Sequence, residues 1–527
     1  MLSKLTVGHY KAFENASINL RPITILLGAN SVGKSSIIQL FLMLQQTGRA
    51  GFKSYKSALK LYGGYVNLGD PQNLFRRRDT SKTIDFTFEV QSAVIKEFLK
   101  NDYFESFRRS YVDLPLYIPI KGLAEIRKKP IDNREDFSKF LDTISSVLNK
   151  STIQETFRRD IHWFLRQRYS HSLPNFSKEG KKELLLMYDF LNELAKGIKS
   201  DLFLMVYKLK INEVNTLEIA HFEIKNADAT ILSISNSDTF SVASNFININ
   251  QDIIEQIKKF FQPSNTIFTS FENVVNEDGY ADTLPLASCI LYFFSYFQNE
   301  LQKEFAENNI NYVSPLRAHP KRYYMLDKAK LNLTLDTLDG DAITEVLKDN
   351  IQVTKNVNMW LKNFGVQVDV QGFKEVIHHL VVKQNNIDLD ITDVGFGISQ
   401  ILPVIIQGFL SGKNSTTIIE QPEIHLHPKM QADLADLFID IVKATNGKKL
   451  IIETHSEYLL KRLRRRISEG TISADDVSIC FFTPQSKDNG AVIENLKIEN
   501  KGFFEWPLDF YGGEILKDTT EYLKNQD

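Results

Sequence analysis

The sequence predicts an α/β fold organised around a parallel sheet, and three observations carry that expectation. An apolar, β-rich run at Ile23 to Leu27 (ITILL) stops at Gly28 and gives way to a helix-spaced stretch from Ser35 to Gln46. Two more short β-runs, Thr416 to Ile419 and Lys449 to Ile452, have a helix between them, the pattern of neighbouring parallel strands joined by a crossover. Far from both ends, Phe203 to Ile211, Leu217 to Lys225 and Ala229 to Ser235 alternate between Asn- and Asp-containing turns, as the strands of an antiparallel meander do.

Taken in order, Leu5 to Asn19 alternates loosely and leads into the first apolar run. Gly63 to Arg78 is rich in Gly, Pro, Asn and Arg and is expected to be loop, followed by an alternating strand at Thr83 to Val90 (TIDFTFEV). From Gln91 to Ser200 the pattern turns helical and locally basic, with IRKKP, FRRD and FLRQRYSH and no catalytic spacing, which reads as an insertion. After the meander come helical stretches at Gln251 to Phe261 and Leu284 to Glu307. A strand at Asn311 to Ser314 then runs into PLRAHPKRYY, and a helical pair spans Ala342 to Phe364. There is no internal repeat and no low-complexity tract.

Composition excludes more than it identifies. The chain has 527 residues, 43% hydrophobic and 24% charged, which is globular composition with room for several modules. Lys and Arg total 63 against 65 Asp and Glu, a net charge of -2, so any contact with DNA or RNA has to come from local basic patches. Cys289 and Cys480 sit in apolar surroundings and are expected as buried free thiols in a reducing compartment. The start of the chain carries no basic segment followed by a long apolar one. No apolar run approaches the ~20 residues that span a bilayer, so the expectation is a cytoplasmic protein without membrane contact.

The chemistry is concentrated in four stretches. Gly28-Ala-Asn30-Ser31-Val32-Gly33-Lys34-Ser35 fits G-x-x-x-x-G-K-[ST], with a buried strand before it and a helix, opening at Ser35 and Ser36, after it. Such glycines let successive N–H groups and the positive helix end face phosphates, while Lys34 neutralises the β/γ charge and the Ser35 hydroxyl reaches Mg²⁺. A nucleotide site also needs an acid at the end of a second buried strand, and Glu420 supplies it, with Gln421-Pro422-Glu423 following. The β-run Ile451-Ile452 ends in Glu453-Thr454-His455-Ser456, where His455 is placed to sense a terminal phosphate or to serve as a structural histidine. Asp393-Val-Gly395-Phe-Gly397-Ile-Ser399-Gln400 is a glycine turn opening an apolar helix, a second anion-binding helix start.

In that order the motifs resemble the ABC-type ATPase heads of the RecF, Rad50 and SMC group, particularly bacterial AAA15/AAA21 proteins with a DUF3696-type C-terminus. The matching stretches are HYKAFENASINLRPITILLGANSVGKSS, YVNLGDPQNL, YVSPLRAHPKRYY, DVGFGISQILPVI, IIEQPEIHLHP, IIETHSEYLLKRLRRRI and FFEWPLDFY. The fold implied is an ABC-type P-loop ATPase head with a mixed sheet, an antiparallel β-subdomain and a helical insertion. Its parts would be residues 1–90 and 312–500 as two halves of one head, 91–200 as the insertion, 201–311 as the β-meander and helical region, and 501–527 as a tail. The resemblance further implies homodimers or higher oligomers whose heads sandwich ATP, with Gly395, Gly397, Ser399 and Gln400 set against the nucleotide of the partner subunit. It places Lys11 near the nucleotide and Gln72 in a Q-loop, beside Mg²⁺ or water. Ser35, Gln72 and Glu420 are thus the metal contacts it implies.

One departure matters. Such heads place a catalytic glutamate directly after the strand-ending acid, where this chain has Gln421, which cannot accept a proton as a carboxylate does. Glu423 is the substitute, and slow hydrolysis is expected, with ATP acting partly as a clamp. Glu423, His425, His427 and His455 also offer metal-ligand chemistry, against which the resemblance reads His425 and His427 as a D-loop at the dimer face. Arg76 to Arg78 and Lys461 to Arg466 are candidate nucleic-acid contacts or solvated helix faces. Asp388, Asp390 and Asp393 are strand and turn residues rather than a nuclease set.

The whole layout most resembles the ATPase subunits of Septu-type and retron-associated antiphage systems, which pair with an HNH nuclease. Only about seventy residues follow His455, too few for the TOPRIM nuclease that OLD-family proteins append. The alternatives are a RecF- or SMC-like repair ATPase that binds DNA itself, and an interaction module that binds ATP without turnover.

Overall fold

The computed structural model describes residues 1–50, 56–102, 133–148, 178–271, 285–306, 309–317, 319–325, 340–372, 377–385, 387–484, 490–499, 501–506 and 520–524. The basic stretches IRKKP, FRRD and FLRQRYSH and the end of FFEWPLDFY lie outside the described residues. Strands β1 (Leu2–Tyr10), β2 (Phe13–Asn19) and β3 (Ile23–Gly28) lead into helix α1 (Lys34–Gly48). Next come β4 (Ile84–Gln91), α2 (Ala93–Glu97), α3 (Arg134–Leu148), α4 (Lys178–Gly197), β5 (Leu202–Ile211), β6 (Leu217–Asn226), β7 (Ala229–Asn236), β8 (Phe240–Ala243), α5 (Gln251–Phe260) and α6 (Pro285–Glu304). Strands β9 (Ile310–Val313) and β10 (Tyr324–Met325), helices α7 (Gly340–Asp349) and α8 (Ile351–Leu361), and strands β11 (Val366–Gly372), β12 (Ile377–Gln384) and β13 (Ile387–Asp390) follow. The last described run is α9 (Phe396–Leu410), β14 (Thr416–Glu420), α10 (Pro428–Ala444), β15 (Lys449–Glu453), α11 (Glu457–Ser468), β16 (Val477–Pro484) and β17 (Ala491–Leu496). Two compact units divide the chain, one of Met1–Leu2, Ala50–Gly63 and Asn67–Gln302, the other of Ser3–Arg49, Gly64–Val66 and Lys303–Asp527.

In the first unit β4 to β8 form a five-strand antiparallel meander in sequence order. The alternation legible in the sequence is the alternation of burial: Phe203, Met205, Tyr207 and Leu209 of β5 are all buried on one face. Aromatic rings fill that face, with Tyr207 stacked on Phe222 at 4.3 Å between centroids and Phe294 of α6 stacked on Phe271 at 5.0 Å. The loop expected at Gly63 to Arg78 contains short 3₁₀ turns at Pro71–Leu74 and Arg76–Arg78.

The second unit is built on an eight-strand mixed sheet in the order β1-β2-β17-β16-β3-β15-β14-β9. Strands β16, β3, β15, β14 and β9 run parallel, and β1 and β17 pair antiparallel with β2 and β16. Every residue of β3 is buried, which is why it reads as an unbroken apolar run and not as an alternating one. A separate four-strand antiparallel sheet consists of β10, β12 and β11, with β13 on β12. Helices α7 to α11 and the parallel strands share one core that includes Ile25, Val357, Ile405, Leu437, Ile452 and Leu460. Asp388 and Asp390 lie on β13 and Asp393 closes a 3₁₀ turn. Both cysteines are buried free thiols, and among the described residues no helix is long and apolar enough to cross a membrane.

Candidate functional site

The parallel strands β3, β14 and β15 end at one edge of the sheet, where crevices in open α/β sheets take ligands. At the end of β3, Gly28 has φ +140°, and a Cβ there would stand 2.4 Å from the Phe482 carbonyl oxygen, so no other residue fits. Gly33 has φ +104° and would place a Cβ 2.6 Å from the Phe13 ring, while Ser31 is also left-handed at φ +64°. The chain between them curls tightly. Helix α1 opens at Gly33 with no side-chain cap and no acid in its first turn, whereas Asn250, Asn350 and Ser456 cap α5, α8 and α11. Its first N–H groups and positive end are therefore left for an anion.

Lys34 is 3% exposed and donates to the carbonyls of Gly28 at 2.8 Å and Ala29 at 2.7 Å. Its Nζ also lies 3.6 Å from Glu453 Oε1. Burial lowers the Lys34 pKa and the Glu453 charge opposes that fall. Asn30, Ser31 and Ser35 are exposed, Val32 is buried, and the Ser36 carbonyl accepts from the Tyr10 hydroxyl at 3.3 Å. Lys11, at φ +48°, donates to Gln39 Oε1 of α1 at 2.6 Å, which sets it beside the loop's helix.

Glu420 and Glu453 end β14 and β15 in the same register. Glu420 Oε1 accepts from the Tyr312 hydroxyl of β9 at 2.6 Å. Burial pushes the Glu420 carboxyl up to about 7, Tyr312 opposing and the adjacent Glu453 adding to the rise. An acid so placed is one that a cation would restore to its charged form. Gln421 follows at φ +44° with its N–H on the Glu453 carbonyl at 2.8 Å. Arg317, 6% exposed, donates from Nη2 to the carbonyls of Glu420 at 3.0 Å and Gln421 at 3.2 Å. Desolvation draws its pKa down to about 10 and the Glu423 charge resists. Glu423 Oε1 accepts the backbone N–H of His455 at 2.6 Å, and burial raises its pKa against that bond and the Arg317 charge. The exposed His455 has its pKa lowered by desolvation first and by Lys34 next.

Glu453, Tyr312 and Arg317 were not legible as site residues. Glu453 had a signal, an acid ending an apolar β-run as Glu420 does. Arg317 stood inside PLRAHPKRYY without any spacing that assigned it a role. The second glycine turn caps α9 at Gly395, which is exposed, with no side-chain cap. A Cβ on Gly397 would meet the His425 carbonyl at 3.3 Å, so this turn lies against the His425–His427 segment. Ser399 and Gln400 are 8% and 5% exposed. Gln72 is exposed on a 3₁₀ turn of the first unit and is not among the residues gathered in the second.

Among the described residues no three His, Cys, Asp or Glu side chains converge as a metal cluster, so Glu423, His425, His427 and His455 do not form one. The basic run on α11 is engaged within the protein. Lys461 pairs with Glu457, Arg462 with Asp433 and Asp436, Arg465 with Glu469, and Arg466 with Asp436 and Glu469. Arg464 lies over Phe503, Phe504 and Trp506 at 5.1 to 5.7 Å.

A family described as "AAA ATPase domain" matches residues 1–460. No curated protein matches the sequence. Solved structures that resemble the chain include three SMC heads. The SMC head domain from Thermotoga maritima is 9% identical with a TM-score of 0.35, covering 94% of this chain and 98% of that one. An SMC head bound to the C-terminal winged-helix domain of ScpA is 10% identical with a TM-score of 0.35, covering 95% and 98%. An SMC head with an extended coiled coil, bound to the C-terminal domain of ScpA from Pyrococcus furiosus, is 11% identical with a TM-score of 0.32, covering 98% and 99%.

Proposed function

We propose that this chain, which belongs to the AAA ATPase domain family, binds ATP at the Gly28–Ser36 loop and hydrolyses it slowly between heads that close on the nucleotide. The observation that carries the reading is the buried Lys34, held at the uncapped start of α1 by loop carbonyls and facing Glu453, the acid that ends the neighbouring strand β15. Phosphates supply the oxygens that the Lys34 ammonium takes from Gly28 and Ala29 in their absence, and the free N–H groups of α1 complete the cradle. Ser35 and Glu420 are the residues that would hold Mg²⁺, whose chemistry is to neutralise the developing charge on the phosphoryl oxygens. Glu453 holds Lys34 and faces Glu420, so it sets the charge balance of the loop. Gln421 orients water with its amide but takes no proton, which leaves Glu423 as the acceptor beside His455.

Lys11 and His455 flank this loop, and Gln72 is assigned by motif to the same reaction. The exposed Gly395, with Gly397, Ser399 and Gln400 behind it, is the surface that meets nucleotide on a second copy. The finer reading is a switch that controls a partner effector nuclease, HNH-type, in antiphage defence. Its support is the ordered set of motifs that resembles Septu-type and retron-associated ATPase subunits. Direct DNA binding through α11 is less favoured, because its cations already have protein partners.

Lys34→Ala tests the core of the proposal. Equilibrium binding of a fluorescent ATP analogue should be lost, whereas full retained affinity would remove the loop from the nucleotide site. Co-purification of a nuclease subunit tests the finer reading.

A further inference from the structure

We propose that Phe13 is the positioning residue of the Gly28–Ser36 loop, acting through Gly33, a role that rests on the reading of that loop as the nucleotide site. Phe13 opens β2 and is fully buried. The tip of its ring lies against the Gly33 backbone: Cζ, Cε2 and Cε1 stand 2.6, 3.2 and 3.4 Å from where a Cβ on Gly33 would be. Phe482, also buried, meets this ring edge to face at 6.1 Å between centroids. Phe482 stands in register with Gly28 on the neighbouring strand, and its carbonyl closes on that glycine. The two glycines that bound the loop thus rest on two phenylalanines that pack on each other.

A glycine at φ +104° has other conformations open to it, and a loop that samples them has to be ordered when phosphate binds. The rigid ring removes that freedom beforehand. It backs the residue that opens α1, whose carbonyl accepts the N–H groups of Ser36 at 3.0 Å and Ile37 at 3.3 Å, so the ring fixes where the helix and its uncapped N–H groups begin. The same hairpin adds a second hold through the Tyr10 hydroxyl on the Ser36 carbonyl. Phe13 is itself fixed by the sheet, in register with Ala491 of β17, whose N–H donates to the Ala12 carbonyl at 2.9 Å. Were Phe13 core filling alone, shortening it would cost stability and leave the phosphate affinity of the loop as it was.

The full chain carries the test, with Phe13→Leu, Gly33→Ala, the double variant Phe13→Leu/Gly33→Ala, Lys34→Ala and, as a control, Phe438→Leu at a comparably buried place on α10. Leucine lacks the three ring atoms that meet Gly33. Readouts are affinity for a fluorescent ATP analogue and thermal unfolding. Phe13→Leu is expected to weaken analogue binding on the order of tenfold, whereas Phe438→Leu lowers the melting temperature and leaves affinity unchanged. Gly33→Ala carries the same φ strain in either background, so the difference between backgrounds isolates the ring contact. Its loss of affinity should be at least about fivefold smaller in the Phe13→Leu background than in the parent. Full affinity in Phe13→Leu, equal weakening by Phe438→Leu, or equal losses from Gly33→Ala in the two backgrounds would overturn the assignment. Full analogue affinity in Lys34→Ala would instead defeat the reading of the loop as the nucleotide site. Should Phe13→Leu not fold, Phe482→Leu, which withdraws the ring that holds Phe13, carries the same comparison.

Discussion

Glu420→Gln should make the nucleotide-free protein more stable at alkaline pH while abolishing Mg²⁺-dependent turnover. The Glu420 carboxyl is pushed from 4.5 up to about 7 by burial, with Glu453 in register beside it. A carboxyl with a raised folded-state pKa costs nothing below the unfolded value, where both states hold the proton. The cost grows as pH rises from 4.5 to about 7 and is complete above that. At ~1.4 kcal/mol per pKa unit the shift amounts to roughly 3.5 kcal/mol at most, since the adjacent Glu453 shares in it. The amide of Gln still accepts the Tyr312 hydroxyl, so that bond survives. The assay is thermal unfolding of the full chain without nucleotide or Mg²⁺ at pH 5 and pH 8, following the transition of the second unit. At pH 8 the variant should melt roughly 5 °C higher, with the gap nearly closed at pH 5. A variant no more stable than the parent at pH 8, or equally favoured at both pH values, would refute the electrostatic reasoning.

Two further substitutions probe the loop and the second glycine turn. Gly28→Ala drives a Cβ to 2.4 Å from the Phe482 carbonyl at a φ that disfavours side chains. It should destabilise the second unit by more than about 2 kcal/mol and weaken ATP-analogue binding, both measurable by denaturant titration in the absence and presence of the analogue. Gly395→Arg is a sharper probe of the head contact than Ser399→Arg, because Ser399 is buried while a Cβ on Gly395 meets nothing within 4 Å. Its φ of -52° suits any residue. The variant should fold and bind the ATP analogue normally, yet lose at least about tenfold in turnover; unchanged turnover would exclude nucleotide shared between heads.

The parts of the fold that were legible are those whose signal is local. The apolar run Ile23 to Leu27, the glycine loop, the meander strands and the runs at Thr416 and Lys449 all appear within a residue or two of their expected places. Strands β11, β12, β16 and β17 had no such signature. Strand β16, VSICFF, is buried on both faces beside β3, and periodicity alone does not separate such a run from buried helix. Ser399 and Gln400 looked like surface residues of a phosphate-binding turn, but they follow the turn into α9 and are packed away.

By itself the sequence determined the glycine loop, because its glycines, lysine and helix start lie within nine neighbouring residues, Gly28 to Ser36, and local backbone sterics decide the path they take. It also determined that Glu420 ends a buried strand and that Gln421 follows. Only the tertiary structure decided which acid holds Lys34 and what grips the Glu420–Gln421 turn. Glu453 meets Lys34 because β15 runs parallel beside β3, and Arg317 reaches Glu420 across 103 residues of chain because β9 pairs with β14. Strand order and register are set by how the whole core packs, and side-chain periodicity along one segment carries no record of the neighbour it will meet.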